Sequence, residues 1–171
     1  MIEIKKSRES KRIAEAFEQK AQRHVGIVQL YAAEVASVST INKLFFYKQH
    51  NINKHDFALF EENLNKSDIA IPESSYTQFV DKRGKLCSPQ YTALGAFLHF
   101  SYQHTNQTMV LDDLGGVQTF NGGFLLKTPT IHSKSEEYGA DDLGEEGIKQ
   151  ALANHSCSEL CKIIELPEIT R

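Results

Sequence analysis

An α+β fold is what this sequence predicts, with mixed and antiparallel sheets around a central buried helix and a metal-bound carboxy-terminal region. Three observations predict it. Ser88-Pro89 is a helix start, and the stretch it opens, to about His104, carries Tyr91, Leu94, Phe97, Leu98, Phe100 and Tyr102. That pattern is apolar nearly all round, as in a helix buried on every side. Short runs rich in Val, Tyr, Phe and Leu, bounded by Gly, Pro, Asn and Asp, recur on both sides of it and read as strands. The third observation is His155-Ser-Cys157-Ser-Glu-Leu-Cys161, which gathers imidazole and thiolate, the ligands tetrahedral Zn²⁺ prefers.

The chain has 171 residues, enough for one domain or a core with a small lobe. A net charge of −3 gives no nucleic-acid footprint. No apolar run approaches the roughly 18 residues of a membrane span. The opening MIEIKKSRES lacks the apolar centre of a signal peptide. Three cysteines, an odd number, argue against a disulfide framework. The expected location is intracellular and cytoplasmic, with neither membrane nor nucleic acid as partner.

In chain order, residues 7–24 read as an amphipathic helix, with Ile13, Phe17 and Ala21 every four residues. Gly26 ends the pattern. Ile27–Val38, Asn42–Tyr47 and Phe57–Phe60 read as strands, the last leaving the core at Glu61. His50–Asp56 and residues 65–75, with Pro72, read as loops. Tyr76–Val80 reads as a strand and Asp81–Lys85 as a turn at Gly84. At Ser88-Pro89 the serine is the expected cap, since proline suits the first helical position. His99, inside that helix, is either a satisfied core histidine or a metal ligand.

Thr108–Leu111 reads as a buried strand running into Asp112-Asp113-Leu-Gly-Gly. Strict alternation along such a strand points Asp112 and Asp113 to opposite faces. Acids followed by glycines suit a Mg²⁺ or ligand site, or a plain turn. Val117–Leu126, with Asn121-Gly122-Gly123 at its middle, reads as a hairpin, and residues 133–142 as a polar loop. Leu143–Asn154 reads as a helix with Glu145 and Glu146 against its positive end. In the tail, Cys157 and Cys161 lie one helical turn apart with His155 in the turn before them. Spacing alone leaves the fourth ligand open among His99, His132, Cys87 and His104, and leaves open that the cysteines are small buried hydrophobes.

From about residue 92 to 166 the chain resembles the carboxy-terminal lobe of the alpha-kinases, a family of atypical protein kinases. The match runs through AFLHFSYQHTNQTMVLDDLGGV, where the family has an FSH element, a strand and then DLQGV. It continues through PTIHS for DPxIH, GADDLGEEGI for a Gly-rich loop, and HSCSELC for HxCxxxC. The NGG turn inserted between Gly116 and Pro129 is closest in style to fungal members. Upstream, RIAEAFEQKA resembles the amino-lobe helix, IVQLYAAEV the strand after it, and FALFEEN the hinge, which puts Glu61 at the nucleotide. The implied division is a partial amino lobe over 1–64 and a carboxy lobe over 65–171.

The resemblance implies structural zinc on His99, His155, Cys157 and Cys161. It implies a substrate-peptide loop shaped by Gly139 and Gly144, against the alternative of a flexible polar connection. The chemistry carries over poorly. Asp113 keeps the family's Asp, but the motif's Gln falls on Gly115 and the second Asp on Thr128. Neither replacement offers a carboxylate for a metal or a proton. The family's phosphate-covering strands and lysine precede its first helix, about where this chain begins, so the amino lobe is expected to be truncated. Lys5 and Lys6 are the only lysines near that position. Together these features imply a catalytically inactive pseudokinase that acts by binding a protein or a second copy of itself, without effective Mg²⁺-ATP chemistry. An active atypical serine/threonine kinase using Mg²⁺-ATP, with Asp113 and Lys5 or Lys6, is the first alternative. A small zinc-stabilised scaffold without nucleotide is the second.

Overall fold

The computed structural model describes residues 2–36, 55–61, 64 and 76–169. Helix α1 spans Ile2–Ala21 and turns Ile13, Ala14, Phe17 and Ala21 into the core at helical spacing. It begins five residues earlier than its apolar stripe suggests, and its first turns also bury Lys6, Ser7 and Ser10. Strands β1 (Val25–Ile27) and β2 (Leu30–Glu34) replace the single run expected from Ile27. Strand β3 (Phe57–Glu61) pairs antiparallel with β2, in the register Tyr31 with Phe60 and Ala33 with Ala58. The expected strand Asn42–Tyr47, the end of the run to Val38, and most of the loops 50–56 and 65–75 lie outside the described residues.

The remaining strands are β4 (Thr77–Gln78), β5 (Met109–Asp112), β6 (Gly115–Gln118), β7 (Phe124–Leu126) and β8 (Thr130–Ser133). One sheet runs β1-β7-β6-β4, with β1 parallel to β7 and the other pairs antiparallel. A second pairs β5 with β8, setting Leu111 beside Ile131 and Asp112 beside Thr130. The NGG turn joins β6 to β7 as a hairpin, as expected.

Ser88 is extended but makes no side-chain cap, and Pro89–Tyr91 form a single 3-10 turn ahead of helix α2 (Thr92–His104). Every residue of α2 from Leu94 to Ser101 is buried. Phe17 of α1 meets Phe97 and Phe100 edge to face, with ring centroids 5.2 and 5.4 Å apart. Phe79 meets Tyr91 and Phe124 at 4.8 and 5.1 Å. Contacts of this kind contribute roughly 0.5–1.5 kcal/mol each beyond simple burial. They also join α1, α2 and the four-stranded sheet in one core, shared by the first helix and the residues after 76. The β2–β3 pair lies largely exposed beside it, with Tyr31, Phe57, Leu59 and Phe60 open to solvent. Helix α3 (Gly144–Ala153) packs on β8 and β5, and the short helix α4 (Glu159–Ile163) packs on α2. Among the described residues no helix is long and apolar enough to cross a membrane.

Candidate metal centre and carboxylate pocket

His99 is on the buried helix α2 and is fully enclosed, because α2 is covered on all sides. The tail brings the other three groups to it. Ser158 caps α4 by accepting from the Cys161 amide, which places Cys157 just ahead of the helix and Cys161 inside it. Cys157 Sγ lies 3.7 Å from His99 Nδ1, and Cys161 Sγ lies 3.7 Å from His155 Nε2. The four ligand atoms are all within 4.8 Å of one another. Zinc bonds of about 2.3 Å to sulfur and 2.1 Å to nitrogen, held tetrahedrally, put such pairs about 3.6 Å apart. The donor set therefore fits one tetrahedral ion. Burial lowers the His99 pKa, opposed by the Pro167 carbonyl, so the ring stays in the neutral form that ligates. His132, His104 and Cys87, the other sequence candidates, lie outside this group.

The second site lies where β5 meets β8. Asp112 is fully buried and neither carboxylate oxygen has a hydrogen-bond partner. Asp113 lies next to it, yet both line one pocket of about 140 Å³ with Lys82, Thr130, His132, Ala140, Asp141 and Leu143. The expectation that they face opposite ways is wrong for a local reason. β5 ends at Asp112, and Asp113 takes a left-handed conformation with φ of 55°, so strand alternation stops between them. Burial raises Asp112 from an ordinary 3.8 to about 7, opposed by the Asp113 amide and helped by the Asp113 charge. Burial also raises Asp113, while Lys82 and a hydrogen bond from Gln78 pull it down.

Gln78 was not anticipated. Its Nε2 donates to Asp113 Oδ1 at 2.9 Å and to the Val80 carbonyl at 2.7 Å, and its Oε1 accepts from the Tyr76 hydroxyl at 3.1 Å. Gly115 leaves the room for this arrangement. A Cβ there would fall 2.1 Å from the Tyr76 hydroxyl and 2.9 Å from Gln78 Oε1. The position where the family motif carries Gln is thus packed by β4 side chains. Thr128 is not among the pocket residues, and its hydroxyl is buried without a partner. Lys5 pairs with Glu137 and covers the Tyr138 ring, while Lys6 pairs with Glu3. Among the described residues, Lys82 is the lysine at the carboxylates. Glu61, at the end of β3, has Lys127 at 3.8 Å.

The glycine loop is held by a residue that sequence reasoning passed over. Asp142 Oδ1 accepts from the amides of Ser133 and Gly144, and Oδ2 from the Ser133 hydroxyl and the Tyr138 amide. Burial alone would raise its pKa, but these four bonds outweigh it and hold the carboxylate below its usual range. Gly139 and Gly144 turn the loop at φ of 100° and 62°. Asp142→Ala is expected to cost about 2–4 kcal/mol, because four donors lose one acceptor. Urea denaturation measures the loss, and amide exchange should rise at Ser133, Tyr138 and Gly144.

The alpha-kinase family model matches residues 2–161. The chain belongs to the alpha-kinase family. Among curated alpha-kinase relatives, it is 31% identical over 100 residues to myosin heavy chain kinase C of Dictyostelium discoideum, covering 58% of this chain and 12% of that one. It is 30% identical over 77 residues to human transient receptor potential cation channel subfamily M member 6, covering 44% of this chain and 4% of that one. The fold matches the crystal structure of the alpha-kinase domain of myosin heavy chain kinase A in complex with ADP. There the TM-score is 0.73 at 20% identity, over 98% of this chain and 59% of that one. The expected α+β alpha-kinase fold is thus present, in a chain spanning a small part of the curated relatives it matches.

Proposed function

We propose that this alpha-kinase chain is a zinc-stapled pseudokinase that acts by binding a protein. The observation carrying this reading is an intact His–Cys tetrad beside an altered carboxylate site. Asp113 is tied to Gln78, and the family's Gln and second Asp positions are Gly115 and Thr128. His99, His155, Cys157 and Cys161 would hold zinc with four protein ligands and no open position, which makes the metal structural. It would fasten α2 to the tail and supply cross-linking energy, not a reactive water.

Phosphoryl transfer needs Mg²⁺ and a lysine placed on the phosphates. Among the described residues the lysine at the pocket is Lys82, and the 140 Å³ pocket is smaller than the roughly 300 Å³ at which ligand pockets usually begin. A related domain binds ADP. A thermal shift with Mg²⁺-ATP, on protein whose zinc has been assayed in the same tube, tests the point here. We expect one zinc per chain and no shift, since a ligand of the native state must raise its melting temperature. A saturable, Mg²⁺-dependent shift would overturn the nucleotide-free reading.

One observation favours the rival, an active kinase. Asp112 brings a second carboxylate to Asp113 with Lys82 at hand, a set that can hold Mg²⁺ and accept a proton. That reading requires phosphate transfer that disappears in Asp113→Asn.

A further inference from the structure

The carboxylate pocket has features that a plain acidic turn lacks. Asp112, Asp113 and Asp141 line it against one cation, Lys82, which is exposed. Asp112 is the informative member, being fully buried with both oxygens unpartnered. The Asp113 amide lies near enough to favour the charged form of Asp112 without making a well-formed hydrogen bond, and the other polar neighbours are committed or out of reach. The Gly84 amide donates to the Asp81 carbonyl, and His132 Nε2 stands 3.8 Å away, beyond hydrogen-bond reach. The Leu143 amide donates to His132 Nδ1 at 3.2 Å, so the ring's own proton is on Nε2, facing Asp112. Burial lowers the His132 pKa, so the ring stays neutral, and above about pH 7, where Asp112 is itself ionised, the pocket's negative charge stands. A buried acceptor without a donor is costly, and a visiting donor removes that cost.

Geometry selects the visitor. Among the described residues, the His–Cys tetrad is the one group of three or more His, Cys, Asp or Glu side chains placed to hold a metal ion. The three aspartates do not converge on one small ion. A guanidinium suits separated carboxylates better, because it is planar, keeps its charge and carries five N–H donors in a fork. The pocket volume of about 140 Å³ fits the end of one side chain. Ala140 and the half-exposed Leu143 give apolar flanks for the methylene stem of an arginine. The wall that carries them is held by Asp142.

We propose that this pocket receives the guanidinium of an arginine side chain presented by a protein partner. The inference rests on the protein-binding reading above and names the chemistry of the partner segment. Its test, run at pH 8 where Asp112 is ionised, uses the zinc-loaded chain and three probes: the blocked tripeptide acetyl-Gly-Arg-Gly-amide, its citrulline counterpart, and MgCl2 alone. Amide chemical shifts of Leu143 and Gly144 report occupancy. The arginine peptide should saturate these shifts with a Kd on the order of 1 mM, and the neutral citrulline peptide should bind at least about tenfold more weakly. Asp141→Asn, at an exposed position where folding is not at stake, should weaken the arginine peptide by about tenfold. Asp112→Asn should do the same. Equal binding of arginine and citrulline, saturation by Mg²⁺ alone below the peptide's Kd, or no shift with any probe would each overturn the proposal. Phosphate transfer by the parent chain would overturn the inactive reading and leave the arginine result to stand on its own, so the two failures are distinguishable.

Discussion

Cys161→Ser is expected to abolish stoichiometric zinc and to destabilise the fold by several kcal/mol, on the order of 5. Cys161 is buried in α4 and its sulfur faces His155 at 3.7 Å, while its α2-side counterpart is the pair Cys157–His99. Removing one thiolate leaves three donors and an enclosed ring whose Nε2 has no partner. The binding energy of zinc held by this tetrad would be folding energy, because the unfolded chain presents no such site. His99→Ala should be at least as damaging, since it adds a cavity inside α2 to the lost ligand. Metal analysis and chemical denaturation on the same samples check both. A variant that kept one zinc and the parent midpoint would remove that residue from the ligand set.

The second large effect runs the other way. Asp112→Asn should stabilise the protein at pH 8 by at most about 4 kcal/mol, the equivalent of a shift from 3.8 to about 7. In the unfolded chain Asp112 releases its proton near its ordinary value, whereas in the native chain burial holds the proton until about pH 7. Between these values the native state binds more protons, so this group's contribution falls as pH rises from about 4 to about 7. Above that range the charged, unpartnered carboxylate is a standing cost. Asparagine carries no charge to bury. The stability gap between variant and parent should therefore be small near pH 4, grow through neutrality and level off above it. Parallel urea titrations give the gap directly, and the metal ligands contribute equally to both proteins. A gap independent of pH would show that Asp112 is not held neutral by burial.

Much of the fold was legible for identifiable reasons. Helix α2 announces itself by Leu94, Phe97, Leu98 and Phe100 with no polar stripe, and α1 by Ile13 and Phe17. The His–Cys cluster was legible through its tail, but only the family resemblance selected His99 over His132, because spacing ranks neither histidine above the other. Strand β8 was missed: Thr130–Ser133 is four residues after a proline, too short to show alternation. The Asp112–Asp113 geometry was misread because pattern rules assume a strand continues, and a single left-handed residue is invisible to them. Asp142 had a signal that went unused, since it immediately precedes the helix expected over Leu143–Asn154, where a capping carboxylate belongs, and it does accept from the Gly144 amide. The Tyr76–Gln78 filling of the Gly115 position had none, because it joins β4 to β6 across the 36 residues between Gln78 and Gly115.

The carboxylate site of this alpha-kinase chain is proposed to bind and not to catalyse. Transfer of labelled γ-phosphate from Mg²⁺-ATP tests it most directly, with zinc-loaded parent and Asp113→Asn assayed side by side on the chain itself and on a generic basic protein. The account predicts label at background level for both proteins. Label that accumulates with the parent and disappears with Asp113→Asn would contradict it and make this chain an active kinase.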